Sequence, residues 1–115
     1  MRKLSFIAAL ILFLAGIASA SDLSLDRHEV KWSYRSERHV DYSWKVDVNS
    51  NLDHAVRVMV RIDFLDDDGF VVDYTKKIDI VGKYETRTIS DMGIMRRDYQ
   101  KRIDRTRASI KVLNY

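Results

Sequence analysis

The residues whose types could support metal binding or catalysis are three histidines and one run of aspartates. His28, His39 and His54 lack ligand spacing, and Asp66–Asp68 precede a glycine. His39 and His54 flank an extended segment and lie about 30 Å apart at roughly 3.3 Å per residue, so they cannot share a metal. His39 could approach the aspartates, which would make a weak site. With no cysteine in the chain, a thiolate metal site is excluded.

The aspartate run is interpreted as a hairpin turn. A calcium loop would need more oxygen ligands at EF-hand spacing, which is absent. Aspartates and glycine are typical turn residues, and Gly69 can adopt the left-handed conformation. We therefore predict a three-residue loop, 67–69, and no metal site.

The hydrophobic pattern selects the register of this hairpin. A two-residue turn would place Phe64 opposite Asp73 and mix the core and solvent faces. The three-residue loop instead places Phe64 opposite Val72 and Ile62 opposite Tyr74, and it pairs Leu65 with Val71 on the outer face. The sequence thus predicts the second register.

Catalytic motifs are weak throughout the chain. There is no G-x-S-x-G sequence and no phosphate-binding glycine loop. Asp63 and Asp73 are interpreted as a salt-bridged sheet surface with Arg61. We predict no catalytic residues, no cofactor and no enzymatic activity.

The N-terminus has the three parts of a secretory signal peptide. Arg2 and Lys3 are basic, Leu4–Ile17 is almost entirely apolar, and Ala18–Ala20 is a small-x-small cleavage signal. The apolar run is shorter than the roughly 20 residues that span a bilayer. We expect removal of residues 1–20, so that the exported chain begins at Ser21 in the periplasm or outside the cell.

Charge and length then describe the exported part, residues 21–115. The 115-residue chain has 20 basic and 17 acidic residues, and removal of two basic residues leaves 18 against 17, a net charge of +1. Nucleic-acid binding therefore loses the support of net basicity. About 95 residues suffice for one domain, and without disulfides its stability must come from the core.

From Leu23 onward the dominant hydrophobic period is two, which indicates half-buried strands. The clearest are Val40–Val48 and Ala55–Leu65. The residues predicted to face the core are Val40, Tyr42, Trp44, Val46, Val48, Val56, Val58, Val60, Ile62 and Phe64. Another strand is predicted around Val30, with Trp32 and Tyr34 on the core side. Further strands are predicted over Phe70–Lys76, Ile78–Val81, Tyr84–Ser90 and Thr106–Leu113. The pattern predicts an all-β antiparallel sandwich of six or seven strands.

One part of this pattern resembles the FxLYD-type domain of bacterial envelope proteins. Ile62–Asp66 followed by an acidic turn and Gly69 matches its strand and acid-glycine turn, and Val46–Asn49 precedes it. Leu65 replaces the motif tyrosine, and Val81–Lys83 keeps the later glycine but lacks the proline. The resemblance implies an immunoglobulin-like sandwich without catalytic residues.

The alternation fails between Ser90 and Asp104. Met92, Met95, Tyr99 and Ile103 are at helical spacing, which predicts a short crossover helix. Its basic neighbours could contact an anionic surface; they are Arg96, Arg97, Lys101, Arg102, Arg105 and Arg107.

The function predicted from these features is that of a non-enzymatic interaction or structural module of the bacterial envelope. Its partner would be an envelope protein or a second copy, contacted through Met59, Leu65 and Val71 on the outer face of the hairpin. The alternative is a binder of anionic lipid or envelope surface through the basic 96–107 segment. A small hydrolase ranks third. Salt-dependent vesicle binding would favour the alternative, and capture of a defined envelope protein would favour the first function.

Overall fold

The computed structural model describes residues 22–114, which form six β-strands and one short helix. The elements are β1 (Leu23–Tyr34), β2 (His39–Ser50), β3 (Val56–Leu65), β4 (Val71–Val81), β5 (Thr86–Arg96), α1 (Arg97–Gln100) and β6 (Arg105–Asn114). Within this range no helix is long and apolar enough to cross a membrane. The predicted signal peptide, residues 1–20, lies outside the described residues.

The strands form two antiparallel sheets of three strands each. Sheet A has the order β1-β2-β5, and sheet B has the order β4-β3-β6. The consecutive strands β2 and β3 are the central strands of opposite sheets. The chain crosses between the sheets three times, after β2, after β4 and after β5. This arrangement is the predicted all-β, immunoglobulin-like antiparallel sandwich with one short helix.

The core between the sheets is formed mainly by the two central strands. All ten of the residues predicted to face inward on β2 and β3 are buried, which confirms the alternation in the sequence. Three rings pack in this core. The Tyr42 ring lies 5.1 Å from Phe64 and 5.7 Å from Trp32 between centroids, and Trp32 lies 5.7 Å from Phe64.

The prediction of a helix over Ser90–Asp104 is wrong for its first half. Strand β5 continues to Arg96, with Met95 in the core and Met92 pointing outward with 76% of its surface exposed. The inward position between them is Gly93, which lies opposite Tyr42. The strand therefore lacks the apolar alternation that would have identified it.

The predicted hairpin register holds next to the turn, where Leu65 lies opposite Val71, but is wrong beyond a bulge in the pairing. Phe64 lies opposite Asp73 and Ile62 opposite Thr75, with a register shift between Phe64 and Leu65. The left-handed conformation predicted for Gly69 is confirmed by its φ of 89°. An aspartate on the inner side is tolerated here because β4 is an edge strand, and the Asp73 carboxylate accepts an exposed hydrogen bond from the Tyr74 amide at 2.8 Å.

Two smaller expectations differ from the structure. The segments Phe70–Lys76 and Ile78–Val81 belong to one strand, β4. Tyr34, which the alternation placed on the core side, is 72% exposed at the end of β1. The Arg97 guanidinium lies over its ring, 5.3 Å from the centroid.

Candidate interaction surfaces

The outer face of sheet B is rich in cations. Cross-strand partners share one face of a sheet, so the partners of the outward residues of β3 define this face. It holds six basic residues and one carboxylate, a net charge of +5. The residues are Arg57, Arg61 and Asp63 of β3, Lys76 of β4, and Arg105, Arg107 and Lys111 of β6. We call this surface the basic face.

Asp63 binds two of these cations. Arg61 Nε donates to Asp63 Oδ1 at 2.6 Å, and Arg107 Nη2 donates to Oδ2 at 2.9 Å. The Arg61 guanidinium also lies over the Tyr74 ring, 4.0 Å from its centroid. The predicted pairing of Asp63 with Arg61 is confirmed, whereas Asp73 faces the other side of the sheet, opposite Phe64.

The three residues predicted to contact a partner are not one exposed patch. Leu65 is only 3% exposed, so its assignment to an open surface is wrong. Met59 is half-buried. Val71 is 46% exposed, and its predicted pairing with Leu65 is confirmed. Leu65 ends β3 where the chain returns after α1, and its carbonyl accepts from the Asp104 amide at 2.7 Å.

The apolar side chains that the basic face does expose were missed by sequence reasoning. Tyr74, Ile78 and Ile80 on β4 are between 44 and 57% exposed. They follow the period of two along β4, but the predicted register placed Tyr74 on the inner side, and Ile78 and Ile80 were assigned to a separate strand. Their partners on β3 put Ile78 beside Met59 and Ile80 beside Arg57.

The first two residues of the predicted anionic-surface contact are engaged within the chain. Arg96 pairs with Asp98 at 2.7 Å. Arg97 donates to the backbone carbonyls of Ser36 at 2.8 Å and Glu37 at 3.1 Å. These bonds attach the segment after β5 to the β1–β2 turn.

The other four residues divide between two parts of the molecule. Lys101 and Arg102 follow α1, are exposed, and have no ion pair among residues 22–114. Arg105 pairs with Asp104 at 3.1 Å, and Arg107 with Asp63 at 2.9 Å. Because Arg105 and Arg107 belong to the basic face, the 96–107 segment is not one continuous surface.

The outer face of sheet A has paired charges and a shallow depression. Lys31 and Lys45 lie 3.3 and 4.0 Å from the carboxylate of Glu29. The depression has a volume of about 440 Å³. Its outward-facing lining residues are Glu29, Lys31, Ser43, Lys45, Ser90 and Met92. Ile94, the next outward residue of β5 after Met92, is also exposed. We call this region the sheet A depression.

The edge strands β4 and β5 have their backbone groups occupied by side chains. Asp73, Asp79 and Asp91 each accept a hydrogen bond from the amide of the following residue at 2.8 Å. Lys77 Nζ donates to the Ser90 carbonyl oxygen at 2.8 Å. Such charged side chains on an edge oppose pairing with a further strand. Contacts on this side of the sandwich are therefore expected through side chains rather than through strand addition.

The aspartate turn is held by its first residue. Asp66 Oδ1 accepts from the amides of Asp68 and Phe70, both at 2.9 Å. Ligand atoms of Asp66, Asp67 and Asp68 lie within 4.8 Å of one another, and within the described range no other set of three such side chains is this close. His39 does not join this group. The geometry supports the turn interpretation.

Asp66 is expected to stabilise this turn more than its neighbours do. Asp66→Ala should lower the free energy of unfolding by about 1–2 kcal/mol, since two amides lose a charged acceptor. Asp67→Asn with Asp68→Asn should change it by only a few tenths of a kcal/mol, as at other solvated positions. Urea denaturation measures both. A large rise in melting temperature with calcium in the parent, lost in the double variant, would contradict the turn interpretation.

His28 joins the two sheets on the β1–β6 side of the sandwich. Its Nε2 lies 2.8 Å from Thr106 Oγ1 in a part-buried hydrogen bond. Burial lowers the pKa of His28 below its usual value of 6.5, although a hydrogen bond with the Thr106 backbone acts in the opposite direction. The folded protein therefore favours the neutral ring.

This burial predicts a loss of stability in acid. Because the folded-state pKa is lowered, the unfolded chain binds the proton first, and stability should decline as the pH falls below 6.5. His28→Gln keeps a hydrogen-bonding group without the titration. As the pH is lowered below 6.5, the melting temperature of the His28→Gln variant should decline less steeply than that of the parent. Parallel curves would show that His28 protonation does not oppose folding.

Comparison with known proteins supports the fold. No protein-family model and no curated protein sequence matches the chain. Among solved structures, a beta-glucuronidase from glycoside hydrolase family 2 superposes on 60% of this chain and 7% of its own, with a TM-score of 0.54 and 14% identity. A putative beta-galactosidase from Bacteroides fragilis covers 76% of this chain and 16% of its own, with a TM-score of 0.52 and 10% identity.

A third similar structure is a calcium-binding mutant of Bacteroides uniformis beta-glucuronidase 2. It covers 78% of this chain and 13% of its own, with a TM-score of 0.50 and 13% identity. The chain thus spans less than a fifth of the length of each of these three proteins. At these identities the likeness concerns the β-sandwich fold and not the activity.

Proposed function

We propose that the protein is an exported, non-enzymatic interaction module of the bacterial cell envelope that binds another protein through the sheet A depression. The observation that carries this proposal is the exposure of Met92 and Ile94 on β5 beside that depression. Methionine is enriched in protein interfaces, and its flexible side chain adapts to varied partners. The resemblance to FxLYD-type envelope domains and the signal-like N-terminus support the compartment.

The roles of the other polar groups agree with a module that binds rather than catalyses. Asp66 holds a turn, His28 joins the two sheets, and Asp91 occupies an edge amide. The side chains that could have formed a reactive cluster are thus bonded to the fold. The partner contact proposed here is the outer face of β5, in place of the hairpin residues predicted from the sequence.

Site-specific cross-linking tests this contact. A photoreactive phenylalanine analogue placed at Met92 should give adducts of defined mass in cells that export the protein. A product of twice the chain mass would identify self-association, and a different mass would identify an envelope partner. The control position is Tyr84, an exposed aromatic residue in the β4–β5 turn. Adducts equally frequent at Tyr84 and Met92, or absent at Met92, would refute the proposal.

A further inference from the structure

We infer that the basic face of sheet B docks onto a lipid bilayer surface that carries anionic headgroups. This inference goes beyond the proposed protein contact, which uses the opposite face of the sandwich. The two contacts are independent, and together they would place a bound partner beside a membrane.

The charge of the basic face is the first observation. The face holds six cations and one carboxylate, which is shared by Arg61 and Arg107. A second carboxylate, Asp104 just before β6, pairs with Arg105. Arg57, Lys76 and Lys111 have no ion pair within residues 22–114, so they are available to phosphate groups. On the outer face of sheet A, in contrast, Lys31 and Lys45 share Glu29. Attraction to an anionic surface would therefore orient the molecule with sheet B toward it.

The apolar residues of the same face are the second observation. Tyr74, Ile78 and Ile80 lie on edge strand β4 among the cations and are each about half exposed. Surfaces that bind at a membrane interface combine apolar side chains, which enter the boundary between headgroups and acyl chains, with Lys and Arg, which contact the headgroups. Both elements occur here side by side, since Ile80 is the partner of Arg57 and Ile78 that of Met59.

The distribution of charge favours a membrane over a small anion or a nucleic acid. The cations lie on three adjacent strands, which are about 4.8 Å apart, and therefore do not converge on a pocket. A single-stranded nucleic acid would need free aromatic ring faces for stacking, but one face of the Tyr74 ring is occupied by the Arg61 guanidinium, 4.0 Å from its centroid. A flat array of long cations, without fixed partners at Arg57, Lys76 and Lys111, fits a fluid layer of headgroups.

The test is co-sedimentation of the exported protein with vesicles of phosphatidylcholine, alone or mixed with phosphatidylglycerol. Binding is expected only with phosphatidylglycerol and should fall steeply as salt is added. Arg57→Gln with Lys111→Gln should lower the partition coefficient about 25-fold, since each cation near such a surface contributes about fivefold. The matched control is Lys31→Gln with Lys45→Gln on sheet A, which should bind like the parent.

Circular dichroism and melting temperature establish that both double variants are folded. Ile80→Ser should weaken binding while leaving its salt dependence unchanged, because it removes apolar contact and no charge. Equal binding to both kinds of vesicle, or equal loss in the sheet A control, would overturn the inference. So would binding to polyglutamate without binding to phosphatidylglycerol vesicles, because the face would then be selective for an acidic macromolecule. Cross-linking at Met92 is unaffected by these outcomes, so the two proposals fail separately.

Discussion

Leu65→Lys is expected to lower the free energy of unfolding by at least about 4 kcal/mol, a large part of the roughly 5–15 kcal/mol that stabilises an ordinary domain. The Leu65 side chain is 3% exposed, so the substitution removes buried apolar surface and places an ammonium group where water is largely excluded. Its partner on β6 is Arg105, a second cation, and its partner on β4 is Val71. Neither neighbour can neutralise the new charge.

Val71→Lys is the matched control for this prediction. Val71 lies directly across from Leu65 on the same face, but it is 46% exposed, so a lysine there can extend into water. Its cost should be below about 1 kcal/mol, as for most surface substitutions. Urea denaturation followed by circular dichroism compares the two. If the Leu65 and Val71 variants were equally stable, the side chain of Leu65 would be exposed, and its buried position at the end of β3 would be wrong.

Leu65 also shows where the sequence pattern stops being informative. Alternation identified the inward residues of β2 and β3 because both central strands have one face in the core along their whole length. The same alternation places Leu65 on the outer face, which is its correct side. Its neighbours in space come from distant sequence: its carbonyl is bonded by the Asp104 amide, 39 positions later, and its partner on β6 is Arg105. No local period contains that contact.

The basic face could not be predicted from the sequence for a similar reason. Arg105 and Arg107 were recognised as basic, but they were grouped with Arg96 and Arg97, their neighbours in sequence. The fold instead joins them to cations of β3 and β4, such as Arg57, through strand pairing. β3 pairs with β6 across a long separation in sequence, so the hydrophobic pattern of single segments could not predict that these cations share one surface.

The resemblance to FxLYD-type domains remains a prediction.

The helix was predicted wrongly because the inward side of β5 carries Gly93, where the neighbouring Tyr42 ring leaves no room for a larger side chain. Strand β5 faces large residues of β2, with Gly93 opposite Tyr42 and Asp91 opposite Trp44. Small or polar positions facing bulky ones remove the alternation from β5, while Met92, Met95 and Tyr99 imitate helical spacing. The periodicity of one strand does not predict such a strand, because the small residues of β5 fit the large residues of a different strand, β2.

Gly93→Ala is accordingly expected to lower the free energy of unfolding by about 2–3 kcal/mol, the range found for overpacked cores. A Cβ at this position would lie 2.5 Å from Tyr42 Oη, 2.6 Å from Cζ and 3.1 Å from Cε2. The Tyr42 ring cannot retreat easily because it is 7% exposed and packed against Trp32 and Phe64. On an unobstructed strand the same substitution would be mildly stabilising, because alanine loses less backbone entropy than glycine.

A double-mutant cycle with Tyr42 separates the steric cause from a backbone requirement. In a Tyr42→Ala background the obstructing ring is gone, so Gly93→Ala should cost close to zero, provided that this background remains folded. Tyr42→Phe removes only the hydroxyl, and the 2.6 Å approach to Cζ remains, so most of the cost should persist. Urea denaturation of the parent and both backgrounds, each with and without Gly93→Ala, measures the coupling. An equal cost of Gly93→Ala with and without the ring would mean that the glycine is required by its own backbone, and that Tyr42 does not explain why β5 carries a glycine there.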